Sequence, residues 1–241
     1  MMVSGFWVLL LLIKCNFVIS DNIKKIYKDI EKCSKISNKN SEGVILIGAS
    51  KAQSIEKIEE AFDGGVKHFG ENYLQEAEEK IKSLQIEPTW HFIGSIQSRK
   101  AKRISEIFDW VHTVDSYKIA KKLSDSRPAT MKPLNVCIQL NIDNEETKSG
   151  TSVENLEEII LELQNLDNLN IRGLMVIPKQ RDSIHEQRLV FKKVKDIHLD
   201  LIAKGYHLDS ISMGMSSDYG VAIEEGATMI RVGTGIFGMR R

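Results

Sequence analysis

Apolar residues fall along the chain in two alternating patterns, short uninterrupted runs and helical spacing. The clearest run, Val44 to Lys51, reads VILIGASK. It is too short for a buried helix, so it predicts a strand that is buried on both faces and carries one lysine at its C-terminal tip. Between Asn22 and Ile36, apolar residues recur every few positions among Lys and Asp. That spacing predicts an amphipathic helix that leads into the first strand.

The alternation of strand and helix repeats to the end of the chain. The predicted strands are residues 44–50, 66–70, 90–93, 110–114, 135–142, 171–177, 208–213 and 228–232. The predicted helices between them are residues 54–62, 73–84, 104–107, 116–123, 153–166, 184–203 and 219–225. This alternation predicts an α/β fold, a single (β/α)8 TIM barrel with an N-terminal lead-in helix. An open doubly wound sheet is the alternative, but the closed barrel leaves no sheet edge exposed.

The N-terminal segment, Met1 to Ser20, differs from the rest of the chain. Phe6 to Ile13 is an uninterrupted apolar run. It is shorter than the roughly 20 residues that span a bilayer, so we expect no stable membrane association. The segment is either a targeting or signal leader or an N-terminal extension that adds nothing to the fold. The predicted domains are therefore residues 1–20, the leader or extension, and residues 21–241, the barrel.

Composition narrows the classes of partner. The 33 Lys and Arg residues balance 33 Asp and Glu residues, so no surface field of one sign recruits nucleic acid or anionic membrane. The chain has three Cys residues, at positions 15, 33 and 137, which form neither a disulfide framework nor a metal-binding pair. A reducing compartment is the default for such a chain, and we expect a cytoplasmic protein.

The lysine at the tip of the first strand is the candidate for chemistry. The strands of a parallel barrel end at one mouth, where ligands bind. Two segments at that mouth, Met213 to Ser217 and Arg231 to Gly235, supply glycines, hydroxyls and backbone amides suited to phosphate, although tight turns are the alternative reading. An amine opposite a phosphate site predicts a phosphorylated aldehyde held on Lys51 as a Schiff base. The alternative for Lys51 is a solvated side chain.

Other kinds of site find little support in the sequence. There is no carboxylate pair suited to glycoside chemistry and no paired-histidine motif for a metal. His68, His91 and His112 fall on successive predicted strands, and we expect them to hydrogen-bond backbone in the barrel wall rather than to bind metal. Met213 is predicted to be a cofactor-binding residue that packs against a flat ligand ring, with filling of the core as the alternative.

The order of motifs along the chain resembles one known family. These motifs are GASK, HFGENYLQEAEEKI, WHFIGSIQSRK, VHTVDS, NIDNEETKSG, GLMVIP and SMGMSSDYGVAIEEGATMIRVGTGIFG. Over residues 22–239 they resemble the pyridoxal phosphate homeostasis protein family, whose fold is the barrel of the alanine racemase N-terminal domain. The resemblance implies the cofactor pyridoxal 5'-phosphate (PLP) and a protein that buffers or delivers it in vitamin B6 and amino-acid homeostasis. It implies no catalytic residue and no reaction of its own.

The resemblance also implies the individual site residues. Lys51 would hold PLP as an internal aldimine, and Asn72 would lie beside the cofactor ring. Arg231 matches the arginine at the pyridine nitrogen. A permanent cation there disfavours protonation of the nitrogen, so the cofactor becomes a poorer electron sink. The positions that match the phosphate-binding residues are Ser216, Gly233 and Thr234.

Two other activities stay open. A PLP-dependent amino-acid racemase is the first, but alanine racemase adds a β-rich C-terminal domain and a tyrosine from its partner subunit. This chain ends at Arg241, directly after the last strand, so we expect a monomer that binds PLP, with apo-enzymes as recipients. The second is a Schiff-base aldolase acting on a phosphorylated sugar, which explains Lys51 but not the whole-chain resemblance.

The chain departs from the family pattern in its mouth loops. Ala52-Gln53-Ser54 stands where the family has Thr-Lys-Pro, and Arg99 stands where the family has Asn. These departures bear on how the pocket is covered and not on the contacts given above.

Overall fold

Eight parallel strands pair in chain order and the last pairs with the first, so the sheet closes into a barrel. The strands are β1 (Ile45–Ala49), β2 (His68–Glu71), β3 (Thr89–Phe92), β4 (Trp110–Val114), β5 (Leu134–Gln139), β6 (Leu169–Met175), β7 (Ser210–Ser212) and β8 (Met229–Val232). The computed structural model describes residues 4–37, 41–145 and 149–239, with side chains from residue 18 onward except at residue 42. The predicted (β/α)8 barrel is confirmed, and the open sheet is wrong.

The two faces of the barrel wall carry different cores. Ile47, Cys137, Met175 and Met229 form one buried cluster with Trp110 inside the barrel. The larger core, between the sheet and the surrounding helices, contains their strand neighbours Leu46, Ile138, Leu174 and Ile230. Because side chains alternate across a strand, residues an even number of positions from the inner cluster also face the barrel interior. This alternation places the polar groups described below.

Helices surround the barrel. They are α1 (Ser4–Ile36), α2 (Ile55–Asp63), α3 (Leu74–Ser83), α4 (Ala101–Ile107), α5 (Tyr117–Ser126), α6 (Leu156–Leu163), α7 (Ile184–Ala203), α8 (Tyr219–Glu224) and α9 (Thr234–Phe237). α1 packs against α2, α8 and α9. Because α9 is only one turn long, α1 takes the place between α8 and α2 that a full helix after β8 would occupy. The lead-in helix therefore completes the ring.

The lead-in helix is longer than the sequence predicted. It was expected from residue 22 and begins at Ser4, so it includes much of the segment interpreted as a leader. Ile19, Ile23, Ile26 and Ile30 are buried in the core. Residues 1–3 lie outside the described residues, and the division at residue 20 stays a prediction. Among the described residues, no helix is both long enough and apolar enough to cross a membrane.

Two polar contacts fasten α1 to the C-terminal part of the chain. The hydroxyl of Tyr219 donates to Asp29 Oδ2 at 2.7 Å, and the Asn22 side-chain amide donates to the carbonyl oxygen of Ile236 at 3.0 Å. The last contact reaches α9, which the sequence does not predict because Gly235 lowers its helix propensity. α1 thus connects α8 and α9, which precede and follow β8, to α2, which follows β1.

Candidate functional site

The lysine expected from the sequence lies just beyond the C-terminal end of β1. The strand ends at Ala49, and the chain then turns, with the N–H of Gln53 donating to the carbonyl oxygen of Ser50 at 3.0 Å. Ala52 has a φ of 59°, a left-handed conformation that costs a non-glycine residue roughly 1–2 kcal/mol. Lys51 is half-buried. The turn therefore presents one amine at the C-terminal mouth of the barrel.

A buried lysine on α3 supports this turn. Lys80 Nζ donates to the carbonyl oxygen of Ser50 and to Glu71 Oε1, both at 2.6 Å. The hydroxyl of Ser50 donates to the same carboxylate oxygen at 2.7 Å. Glu71 is fully buried and Lys80 is 5% exposed. Burial raises the pKa of the Glu71 carboxyl, and the Lys80 ammonium opposes that rise. A buried ion pair with these additional hydrogen bonds fixes the backbone that it contacts.

The same network reaches the residue after Lys51. Lys80 Nζ also donates to Glu76 Oε1 at 2.6 Å, and the backbone N–H of Ala52 donates to that same oxygen. The network thus contacts the residues on both sides of Lys51. Of this network, the sequence indicates only the pair of Glu76 and Lys80, which stand four residues apart on a predicted helix, a spacing typical of ion pairs.

Asn72 lies at the end of the neighbouring strand. It directly follows β2 and is half-buried. The register pairs Gly70 of β2 with Ala49 of β1, so the ends of these two strands lie side by side. A Cβ atom added to Gly94 would lie 2.1 Å from the carbonyl oxygen of Asn72. Because this approach is closed to any larger residue, Gly94 helps to set the position of Asn72 beside the lysine turn.

Arg231 supplies a buried cation on the other side of β1. It lies in β8, two residues from Met229 of the inner cluster, and it is 5% exposed. Its Nη1 donates to Ser212 Oγ at 2.6 Å, and its Nη2 donates to the carbonyl oxygen of Val176 at 2.9 Å. Burial lowers the pKa of the guanidinium to about 10, so Arg231 remains protonated at neutral pH. The cation is held in one orientation inside the barrel.

The two segments expected to bind phosphate meet at the mouth. The N–H of Gly235, in the first turn of α9, donates to Ser216 Oγ at 3.1 Å, which joins the loop after β7 to the end of β8. A Cβ atom added to Gly233 would lie 3.4 Å from the carbonyl oxygen of Ala49, so Gly233 adjoins the end of β1. Thr234 is exposed at the start of α9. Together with Lys51 and Asn72, these residues occupy the ends of four consecutive strands.

Met213 does not share the mouth with them. It is fully buried and belongs to the core between the sheet and the helices. The reason is strand alternation: Ser212 contacts Arg231 inside the barrel, so its neighbour Met213 faces outward. The prediction that the Met213 side chain contacts a ligand is therefore corrected, and the alternative that it fills core is the one that the structure supports.

The three histidines also differ from expectation. We expected His68, His91 and His112 to hydrogen-bond backbone, but they hydrogen-bond to one another in series inside the barrel. The series continues from His112 Nδ1 to Ser212 Oγ at 2.8 Å. In the part of the chain that the structure describes, no cluster of metal-ligating side chains is present. The histidines therefore form a hydrogen-bonded chain.

Of the residues that depart from the family pattern, Ala52 contacts Glu76 through its backbone N–H, whereas the side chains of Gln53 and Arg99 contact residues close to them in the sequence. Gln53 Oε1 accepts a hydrogen bond from Lys57 Nζ at 3.2 Å, and Arg99 donates to Gln97 Oε1 at 3.3 Å. Neither of these two side-chain contacts involves the groups that converge on the mouth.

Comparison with known proteins places the chain in a family. A family profile described as "Alanine racemase, N-terminal domain" matches residues 22–241. The chain is 43% identical over 223 residues to the pyridoxal phosphate homeostasis protein of Pseudomonas aeruginosa, covering 92% of this chain and 96% of that protein. It is 39% identical over 226 residues to the protein of the same name from Escherichia coli K12, covering 92% and 97%.

Solved structures agree with this placement. PipY of Synechococcus elongatus with PLP bound superposes with a TM-score of 0.75 at 34% identity, covering 87% of this chain and all of PipY. An alanine racemase of Clostridium difficile, at 16% identity and a TM-score of 0.68, covers 91% of this chain and 57% of the racemase, and shows the shared fold alone. The family profile matches residues 22–241, and the relatives are 43% and 39% identical over 92% of this chain. This chain therefore belongs to the pyridoxal phosphate homeostasis protein family.

Proposed function

We propose that this chain binds PLP in the C-terminal mouth of the barrel, with Lys51 as its covalent partner. The observation that carries the proposal is the convergence of unlike groups on consecutive strands. An amine follows β1, a buried guanidinium lies in β8, and hydroxyl- and glycine-rich segments follow β7 and β8. The aldehyde, ring nitrogen and phosphate of PLP call for these three kinds of partner. PipY, which is 34% identical to this chain, has a structure with PLP bound, and this supports PLP as the ligand.

Each group would have a separate task. The Lys51 amine adds to the aldehyde carbon, and one water leaves as the Schiff base forms. Ser216, Gly233 and Thr234 bind the phosphate through hydroxyl and backbone N–H groups. The network centred on Lys80 holds the turn so that the amine stays at the mouth.

Arg231 sets the character of the site. PLP supplies an aldehyde that condenses with amines and a ring that withdraws electrons when its nitrogen is protonated. Arg231 stays charged and donates hydrogen bonds only, so it leaves the ring nitrogen unprotonated. Its contacts to Ser212 and Val176 keep the guanidinium in place. This arrangement favours holding the cofactor over carbanion chemistry.

We infer that the protein buffers PLP and passes it to apo-enzymes, and so contributes to vitamin B6 and amino-acid homeostasis. The names of the relatives from Pseudomonas aeruginosa and Escherichia coli support a role in PLP homeostasis. The monomeric state and the cytoplasmic location expected from the sequence stay predictions.

The test of PLP binding is the absorbance spectrum of the purified protein with PLP, before and after borohydride. We expect a visible band that borohydride removes while fixing the cofactor to the protein. Lys51→Ala should lose both the band and the fixed cofactor, whereas Lys118→Ala, which removes an exposed lysine from the first turn of α5, should retain them. Equal fixation in Lys51→Ala would show that another amine is the partner.

Delivery is tested separately, by mixing PLP-loaded protein with the apo-form of a PLP-dependent transaminase. The loaded protein releases some PLP spontaneously, and free PLP at that concentration sets the baseline rate of reactivation. The transaminase should regain activity faster than this baseline. Recovery no faster than this release predicts would leave PLP binding intact and exclude direct transfer. A racemisation assay on the same loaded protein distinguishes a carrier from a racemase.

A further inference from the structure

A continuous hydrogen-bond chain crosses the barrel interior from its N-terminal opening to Arg231. His68 Nδ1 lies 2.9 Å from His91 Nε2, and His91 Nδ1 lies 2.9 Å from His112 Nε2. His112 Nδ1 lies 2.8 Å from Ser212 Oγ, which accepts from Arg231 Nη1 at 2.6 Å. The chain therefore joins side chains of β2, β3, β4, β7 and β8 within one barrel.

The two ends of this chain lie in different surroundings. His68 is the first residue of β2, so it lies at the N-terminal opening, and it is half-buried. The interior members His91, His112 and Ser212 are fully buried. At the other end, Arg231 belongs to the proposed PLP site. Of the five residues, His68 is the most exposed.

The chemistry of Arg231 fixes the direction of every bond. A guanidinium donates hydrogen bonds and accepts none, so Ser212 Oγ is the acceptor of that contact. Among the described residues, His112 Nδ1 is the acceptor available to the Ser212 hydroxyl hydrogen, which would otherwise be buried without a partner at a cost of roughly 1–3 kcal/mol. His112 then carries its hydrogen on Nε2 and donates it to His91 Nδ1.

The same rule applies to the remaining links. Burial lowers the pKa of His91 well below its ordinary value and that of His112 to about 3, so both rings are neutral at neutral pH. A neutral imidazole carries one hydrogen, so His91, which accepts at Nδ1, donates from Nε2 to His68 Nδ1. All bonds thus run one way, from the guanidinium to the N-terminal opening.

We propose that His68, His91, His112 and Ser212 are positioning residues for Arg231, and that they couple protonation of His68 at the N-terminal opening to the orientation of the guanidinium. The proposal rests on the proposed PLP site, because that is where Arg231 would act. It requires no metal, oxidant or group transfer. One proton enters from solvent at His68, and the number of protons on each other residue stays the same.

The coupling follows from the hydrogen count of an imidazolium. Protonated His68 carries hydrogen on both ring nitrogens, so its Nδ1 no longer accepts from His91 Nε2. His91 must then exchange its tautomer, and His112 after it, until His112 Nδ1 donates to Ser212. The Ser212 hydroxyl then receives two hydrogen bonds and must turn its own hydrogen elsewhere. Because the hydroxyl hydrogen and the lone pairs turn together about the Cβ–Oγ bond, this rotation moves the lone pair that accepts from Arg231 Nη1.

The charged groups around the hydrogen-bond chain influence the pH at which His68 gains its proton. Burial lowers the pKa of His68, while the Asp109 carboxylate at the same opening opposes that effect. His112 faces the Arg231 cation, and Arg231 in turn faces Asp218 and Cys137.

A stacking contact places one further cation near His91. Trp110 stacks on His91 with ring centroids 5.6 Å apart, and Arg172 lies over the Trp110 ring. With these neighbours on both sides of the chain, we expect His68 to be the first of the three rings to gain a proton as pH falls.

The direct test is nitrogen-15 NMR of the histidine rings in protein without PLP, between about pH 8 and pH 5.5. At the upper end, His91 and His112 should both carry hydrogen on Nε2. As His68 titrates, both should exchange to the Nδ1 tautomer with the midpoint of His68. In His68→Leu and in His68→Gln, both rings should keep one tautomer throughout. Titration of His68 without any exchange at His112 would overturn the proposal.

A second measurement links the chain to the cofactor site. The visible band of PLP-loaded protein should shift with the His68 midpoint, and the shift should vanish in His68→Gln but persist in His207→Gln, which removes an exposed histidine. If the protein never becomes coloured with PLP, the proposed function is refuted. The NMR measurement then tests the hydrogen-bond chain by itself. A tautomer exchange with an unchanged visible band would refute the coupling to the site.

Discussion

The ammonium nitrogen of Lys80 lies 2.6 Å from the carbonyl oxygen of Ser50, the residue before Lys51. One buried cation thus fixes the backbone that carries a second, half-buried amine. Through Glu76, the same network also contacts the N–H of Ala52, the residue after Lys51. The position of the proposed Schiff-base lysine is therefore determined from α3 as well as from β1.

Replacing Lys80 with methionine should destabilise the fold. Lys80→Met leaves the carboxylate of Glu71 buried without its ion-pair partner, which typically costs about 3–5 kcal/mol. We expect the free energy of unfolding from urea denaturation to fall by about that amount. PLP affinity should also weaken, because the Ser50 carbonyl loses a donor and the turn is less well fixed.

The matched control is Lys82→Met, an exposed lysine two residues further along the same helix. Its effect should stay within about 0.5 kcal/mol. Adding Glu71→Leu to Lys80→Met should recover much of the lost stability, since no buried charge then remains unpaired. Equal stability of Lys80→Met and Lys82→Met would show that the network is not a structural support.

The part of this fold that the sequence predicted is the part governed by local pattern. Apolar runs and helical spacing located all the strands, and α7 matches its expected range Ile184–Ala203. Met213 was predicted to contact the ligand, but alternation along β7 places its side chain in the core. The short α9 was missed because its sequence, TGIF, has little helical pattern.

The site was predictable where one residue carries the chemistry and unpredictable where several share it. Lys51 stood out as the only amine at the tip of an apolar strand. Lys80 did not, because its partners Ser50 and Glu71 are 30 and 9 residues away and meet it only after the barrel closes. The histidine chain depends likewise on β4 and β7 facing each other across the interior, which no local pattern encodes.

Acid should destabilise the protein through its buried histidines. The pKa of His112 is lowered to about 3, and that of His91 is well below 6.5, whereas both take up protons near pH 6.5 when unfolded. The unfolded state then binds more protons, so stability is present above that pH and is lost as pH falls. For each of the two histidines, the free energy of unfolding should fall by about 1 kcal/mol between roughly pH 6.5 and pH 5.5.

Urea denaturation at these two pH values measures the effect. His112→Gln should lower the pH-dependent loss by about half of the two-histidine contribution. His207→Gln should leave the loss unchanged, because His207 is exposed. The assignment of the pH dependence to the barrel interior fails if His112→Gln retains the full loss.

Gly94 should tolerate no side chain. In Gly94→Ala, the new Cβ would lie 2.1 Å from the carbonyl oxygen of Asn72, so the backbone after β2 must move. We expect a loss of about 2 kcal/mol or more in the free energy of unfolding, and weaker PLP binding by the folded fraction. Gly220→Ala is the control, because its Cβ would meet only the Cys33 sulfur at 3.6 Å within a helix. It should keep or slightly raise stability.

The phosphate assignment predicts an effect that depends on the ligand. Ser216→Ala removes a hydroxyl whose bond to a charged phosphate is worth roughly 1.5–3 kcal/mol, so PLP affinity should fall by about 10- to 100-fold. Pyridoxal, which lacks the phosphate, should lose much less. The N–H of Gly235 loses its acceptor in the same variant, but that change affects both ligands.

The ratio of PLP affinity to pyridoxal affinity therefore isolates the phosphate contact. It can be measured by titrating protein fluorescence with each ligand, for the unmodified protein, for Ser216→Ala and for Ser217→Ala. Ser217 is an exposed neighbour on the same loop, and its removal should leave the ratio unchanged. If Ser216→Ala weakens both ligands equally, the loop after β7 supports the mouth without contacting phosphate, and the phosphate must bind through Gly233 and Thr234.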